Sequence, residues 1–205
     1  MTDGCITTAS GKLFNVLEPR AEDVDINDIA HALANQCRFG GHTSEFMSVA
    51  QHSLLVLSVV GNLTAPDDLD LHLAALLHDA AEAYLVDVPR PVKEDRTMEG
   101  YRFAEERVWR AITHAFDVPA ELIDHPALRT ADDMVLVLEA LTLLPKDSVH
   151  LPPGVDAPRW LLGFRPVAPV KAREGFLAAY RQIMRARAKK ADAEFEKRIL
   201  TSARN

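Results

Sequence analysis

The chain has 205 residues, 48% of them hydrophobic and 26% charged, with a formal net charge of −7. That length and balance fit one globular domain, 1–205, with a sizeable core. No apolar run reaches the roughly 20 residues of a membrane span, and the acidic balance argues against broad nucleic-acid binding, which needs clustered Lys and Arg.

The opening MTDGCITTASGKLF lacks the basic start and apolar block of a secretory signal, so a cytoplasmic location is expected. Cys5 and Cys37 stand at no metal-ligand spacing and read as free thiols. The first 25 residues mix Gly, Thr, Pro and charge and read as an extended arm or short hairpin. Asp28 to Cys37 predicts a short helix, broken by Gly40-Gly41. Ser44 is placed to cap a helix from Glu45 to Val60, which Gly61 can end. Pro66-Asp67 opens a helix running to about Tyr84. Further helices are expected over Thr97 to Phe116 and Leu128 to Leu144. The interval 145–169 is Pro-rich but carries Trp160, Leu161, Leu162 and Phe164. It reads as a loop packed across the core, or as a lid or subunit contact. A last helix, 170–205, starts near Val170 and becomes rich in Lys, Arg and Glu after Arg185. Alternating β-branched runs are few, so the expected class is all-α, a compact helical bundle.

The segment DDLDLHLAALLHDAAEAYLVD is apolar around most of its circumference, the mark of a buried helix. Into it are set His78, Asp79 and Glu82. Residues three and four apart are helical neighbours, so the three groups share a quadrant. Buried charges are normally paired or bound to metal, and a divalent cation resolves the clustered acids. An isolated His-Asp pair is more often a structural hydrogen bond, so further ligands decide the matter. His52 lies on the mostly apolar SVAQHSLLVLSVV, and Asp132 on RTADDMVLVLEALTLL. Together the set is His52, His78, Asp79 and Asp132, from three helices. Nitrogen and oxygen ligands without sulfur suit Co, Mn, Zn, Fe or Ni, with Mg possible. His31, His72, His114, His125 and His150 have no acidic partner at a convincing spacing and read as structural or surface residues.

The order H…HD…D on helices resembles that of the HD-domain metal-dependent phosphohydrolases. The run HDAAEAYLVDVPRPVK is similar to a block of bacterial HD-domain 5′-deoxynucleotidases. The resemblance implies an HD-domain fold, a divalent transition metal and catalytic roles for Glu82 and Asp87. It implies phosphate binding by Lys93 and by Arg38, the first residue of an Arg-aromatic pair completed by Phe39. The family usually has Trp after that Arg, so Phe39 is a departure. The Ala131-Asp132 opening matches the last ligand of the family and favours Asp132 over Asp133. The matches span about residues 28 to 140. Some phage relatives in this branch are dNTP triphosphohydrolases.

On this resemblance Glu82 and Asp87 would handle the attacking water and the proton of the leaving alcohol, in either order. Arg38 would grip phosphate as a fork and Lys93 as a point charge. Phe39 offers a face to sugar or base. His42 is either a pocket residue or a cap for the following helix. The expected activity is hydrolysis of deoxynucleoside 5′-monophosphates. The alternatives are dNTP triphosphohydrolysis and a non-catalytic metal-binding role. Trp160 and Phe164 would be hard to bury in a monomer, so a homodimer or higher homo-oligomer is expected.

Overall fold

A computed structural model describes residues 4–145 and 154–202. His150 and the part of the Pro-rich interval at 146–153 lie outside the described residues. The fold is all-α, with one short hairpin among the described residues.

The N-terminal arm is the hairpin. β1 (Cys5–Thr7) and β2 (Leu13–Asn15) pair antiparallel, with Ile6 opposite Phe14. Asp28, buried at the start of α1 (Ile26–Asn35), pins the turn by accepting from the Ser10 N–H at 2.7 Å and its hydroxyl at 2.8 Å. Phe14 is fully buried and stacks on Tyr84 at 3.8 Å between ring centroids.

α2 (Val49–Leu63) is the central helix and packs against α1, α3 (Leu69–Leu77), α7 (Pro126–Leu143) and α8 (Pro169–Ser202). It starts four residues later than expected. Ser44 donates its N–H to the Leu143 carbonyl at 2.9 Å, and Ser48 pairs with Cys37 in an antiparallel bridge. The stretch before Val49 is therefore extended, and Ser48 is the cap, its hydroxyl accepting from the Gln51 N–H at 3.2 Å. Gly61 stays inside the helix. Thr64 ends it by returning its N–H and hydroxyl to the Val60 carbonyl.

The helix expected from Pro66 to Tyr84 is broken near its C-terminal end. α3 stops at Leu77, a tight turn holds His78 to Ala81, and α4 (Glu82–Leu85) resumes. α5 (Arg90–Lys93) and α6 (Glu99–Phe116) follow. The buried stripe of α6 is Ala104, Val108, Trp109, Ala111 and Ile112. Gln51 fastens the strap that precedes α8, donating to the Arg165 carbonyl at 2.8 Å and accepting from the Val167 N–H at 2.9 Å. Leu161 packs on the core, while Trp160 and Leu162 are exposed. No helix among the described residues is long and apolar enough to cross a membrane.

The hairpin is held by Phe14 more than by its short ladder. Phe14→Ala is expected to cost about 3–5 kcal/mol, the usual loss for a buried aromatic, read as a lower denaturant midpoint in equilibrium unfolding. A change under about 1 kcal/mol would show the arm to be peripheral.

Candidate metal centre

The turn after α3 is tighter than a helix. The Ala80 N–H bonds the Leu77 carbonyl at 2.7 Å and the Glu82 N–H bonds the Asp79 carbonyl at 3.0 Å, both i to i+3. His78 Nδ1 lies 2.8 Å from the Ala75 carbonyl. A carbonyl can only accept, so Nδ1 carries the proton and Nε2 presents a lone pair.

His52, fully buried on α2, is set the same way. Its Nδ1 lies 2.8 Å from Glu139 Oε1, and its Nε2 lies 3.2 Å from His78 Nε2. Asp132 Oδ1 is 3.1 Å from His52 Nε2 and 4.0 Å from His78 Nε2. Asp79 Oδ2 is 3.4 Å from His52 Nε2 and 3.3 Å from His78 Nε2. The two imidazole Nε2 atoms and Asp132 thus face a common centre, and Asp79, which lies near both rings, is not part of that group. Ligand atoms about 2.0–2.2 Å from one ion lie about 3–3.5 Å from each other, which is close to these separations. The donor set fits a metal ion: His52, His78 and Asp132 offer atoms within 4.8 Å of one another. Asp133 accepts from Arg90 Nη1 at 2.8 Å and is not part of that group.

The charges shape each other. Burial and the nearby Arg38 pull the His52 imidazole down, but Glu139 and Asp132 outweigh them and push it up to about 10. Burial raises Asp132, yet the His52 contact carries it down to about 2. Asp79 is likewise lowered despite burial, by His78, His52 and Arg38. Glu82 is driven well up by burial and by the Asp79 and Asp87 charges. Asp87 is raised by burial, which Arg38 opposes and Asp79 reinforces.

Glu82 and Asp87 flank this centre. Lys93 Nζ lies 3.4 Å from Glu82 Oε1 and 2.6 Å from Glu105 Oε1. Glu82 Oε2 is buried and has no hydrogen-bond partner among the described residues. Arg38 donates from Nε to Glu139 Oε2 at 3.1 Å and from Nη1 to Asp87 Oδ2 at 3.3 Å. Its guanidinium is 5.6 Å from the centroid of the Phe39 ring. Phe39, Gly40 and Gly41 all have positive φ, which two glycines allow and Phe39 tolerates under strain. His42 is the outlier. It is exposed, bonds Phe39 only through its backbone N–H at 3.1 Å, and does not cap α2. It borders a surface recess with Thr43, Leu143 and Leu144. His125 caps α7 through its side chain.

Sequence reasoning missed three groups. Glu139 was visible as the lone acid of VLVLEALTLL, seven residues beyond Asp132 and so on the same helix face. It orients His52 through the nitrogen that faces away from the candidate centre, the position outer carboxylates commonly take behind ligating histidines. Gln36 gave no signal. Its amide donates to the Glu82 carbonyl at 2.9 Å and accepts from the Asp87 N–H at 3.0 Å. Those two contacts bracket Val86, which has φ +68°, a costly value for a β-branched residue. Arg90, which the sequence offers only as a further cation for a longer phosphate chain, is tied to Asp132 and Asp133, both at 2.8 Å.

The fold and this cluster define an all-α protein with a His/His/Asp group able to hold a metal ion. No family model matches the sequence. It is 33% identical over 180 residues to the uncharacterized protein YfdR of Escherichia coli, a match covering 87% of this chain and 94% of that one. The chain therefore belongs to the YfdR family. It is also 38% identical over 136 residues to an uncharacterized protein of Rhodobacter capsulatus, covering 64% of this chain and 68% of that one.

Equilibrium dialysis against Co or Zn checks the centre. The unaltered chain is expected to bind the ion, and His78→Ala to lose it. Glu139→Gln should keep the helical circular dichroism but weaken binding by about 10- to 100-fold, the usual effect of removing an outer partner. Unchanged affinity in Glu139→Gln would remove its orienting role.

Proposed function

We propose that this chain is a metal-dependent phosphohydrolase of the HD type, acting on deoxynucleoside 5′-monophosphates. The observation that carries the reading is the meeting of two imidazole Nε2 atoms 3.2 Å apart with Asp79 and Asp132, bordered by two further acids, buried Glu82 and half-buried Asp87, and three bases. The H…HD…D order and the HDAAEAYLVDVPRPVK run support it independently of that geometry.

His52, His78, Asp79 and Asp132 would hold the ion. A divalent cation bound there supplies Lewis-acid polarisation of a phosphoryl oxygen and makes a neighbouring water more acidic. Glu82 is suited to orient that water and take its proton, because Oε2 is unengaged while Lys93 steadies Oε1. Asp87, held by Arg38, is suited to the proton of the leaving alcohol. Lys93 and Arg38 draw the phosphate in, and Phe39 offers the face for sugar or base.

The balance of charge favours a monophosphate over a triphosphate. The bases bordering the centre are Arg38, Arg90 and Lys93, and each already pairs with two carboxylates. Arg102, a further candidate for a longer phosphate chain, spends its Nη1 on the Lys93 and Asp95 carbonyls. Few cations are left to meet three phosphates.

The test is product identity. Protein stripped with chelator and reloaded separately with Co, Mn, Zn or Mg meets a panel of dNMPs and dNTPs, with products separated by chromatography. Nucleoside and phosphate from dNMPs is the expected result. Triphosphate released from a dNTP would overturn the substrate, and no product with any metal would overturn the activity. Asp79→Ala should abolish turnover and lower the bound metal. Glu82→Ala should keep the metal and slow turnover by about 10² to 10⁴, the ordinary worth of a general acid–base group.

A further inference from the structure

Each residue of the His52, His78 and Asp132 group has a second polar atom, and in each case that atom is engaged. His52 Nδ1 lies 2.8 Å from Glu139 Oε1, and His78 Nδ1 lies 2.8 Å from the Ala75 carbonyl. Asp132 Oδ2 accepts from Arg90 Nη2 at 2.8 Å, while its Oδ1 stands 3.1 Å from His52 Nε2.

Arg90 differs from the other two partners. Glu139 is fully buried and the Ala75 carbonyl belongs to α3, whereas the Arg90 side chain is 47% exposed. An exposed ion pair is ordinarily worth little, because water screens it and a long side chain must be immobilised. Here the side chain is held twice. Nη1 donates to Asp133 Oδ1 at 2.8 Å, so two nitrogens of one planar guanidinium bind the carboxylates of two successive residues on α7. Asp133 thereby fixes the fork, and the fork fixes Asp132 Oδ2.

A carboxylate binds an ion through one oxygen or through both. With Oδ2 engaged by Arg90, Asp132 offers Oδ1 alone, the oxygen nearer the imidazoles. One-oxygen ligation leaves a coordination position open, which separates a working metal site from a closed structural one. The same contact ties α5 to α7. Arg90 stands three residues after Asp87 and three before Lys93, so the segment bearing both is clamped beside the centre.

We propose that Arg90 is a positioning residue of the metal centre, anchored by Asp133, that restricts Asp132 to one-oxygen ligation. This role rests on His52, His78 and Asp132 as ion ligands and is independent of which ester is hydrolysed.

The sign of one measurement separates positioning from mere charge. If Arg90 were only a positive group beside a cation, its removal would tighten metal binding by relieving repulsion. If it orients Asp132, its removal weakens binding by about 10- to 100-fold, the usual effect of losing an outer partner. Chelator-stripped full chain is titrated with Co(II) by calorimetry, and the visible absorption of the bound ion is recorded. Arg90→Met is expected to bind in that weaker range, with Co(II) bands changed in position or intensity because the oxygens of Asp132 are no longer fixed. Arg90→Lys keeps the charge but lacks the fork, and should not restore the unaltered affinity or spectrum. Asp133→Asn should weaken binding less than Arg90→Met does, and should add nothing in the Arg90→Met background. Circular dichroism should stay constant across the series. Unchanged or tighter binding by Arg90→Met, an unaltered Co(II) spectrum, or full rescue by Arg90→Lys would overturn the role of Arg90. Equal losses from Asp133→Asn with and without Arg90 would overturn the anchoring. No cobalt binding by the unaltered chain would overturn the metal reading itself, and this proposal with it.

Discussion

Glu139 is fully buried between His52 and Arg38, and the cleft is organised around that carboxylate. A charge in such a place is tolerated only with its partners in position. Its Oε1 fixes the ring of His52, and its Oε2 fixes Arg38, which in turn holds Asp87. One side chain on α7 thereby links the central helix, the Arg38-Phe39 bend and the turn that follows α4. The ligands, the bases and the second acid are set by one alternation of positive and negative groups.

Two departures from regular backbone serve the same centre. The i to i+3 bonds after Leu77 tighten the chain so that His78 and Asp79 both point at His52. Val86 then takes a positive φ, which turns the chain toward Asp87. Such a conformation persists only where its surroundings over-determine it. Gln36 grips both sides of the strained residue, and the Tyr101 hydroxyl holds the Val86 carbonyl at 2.7 Å. Glu82 and Asp87 therefore stand on a segment whose shape is imposed by α6 and by the residue just after α1.

The rest of the fold supplies rigidity. α2 is buried along most of its length, so His52 stands on an element packed from several sides. Gln51, one residue earlier, fastens the strap that leads into α8. The N-terminal hairpin reaches the same region from the other side, through Phe14 on Tyr84, two residues beyond Glu82. Loss of any of these supports would loosen the ligand geometry without touching a ligand.

Much of this was legible from residue order. The near-continuous apolar circumference of LAALLHDAAEAYL, interrupted by one His and two acids, marks both a buried element and a cluster able to seek a cation. His52 and Asp132 were readable because each is a polar interruption of an apolar helix. Sequence periodicity located the helices but not all their boundaries, since Ser44 and Ser48 offer equal caps. Only the bridge from Ser48 to Cys37 decides between them. The break at His78 was hidden for a similar reason, because Ala-rich sequence suits a helix and an i to i+3 turn equally. Glu139 carried a signal, a lone acid in an apolar run, but its partners lie 87 and 101 residues away in sequence. Gln36, His42 and Arg90 show the limit most plainly. Local sequence determined which groups must be buried and which side chains can bind a cation. Tertiary packing decided which of them meet, because a hydrogen bond across such separations depends on how the helices pack rather than on neighbouring residues.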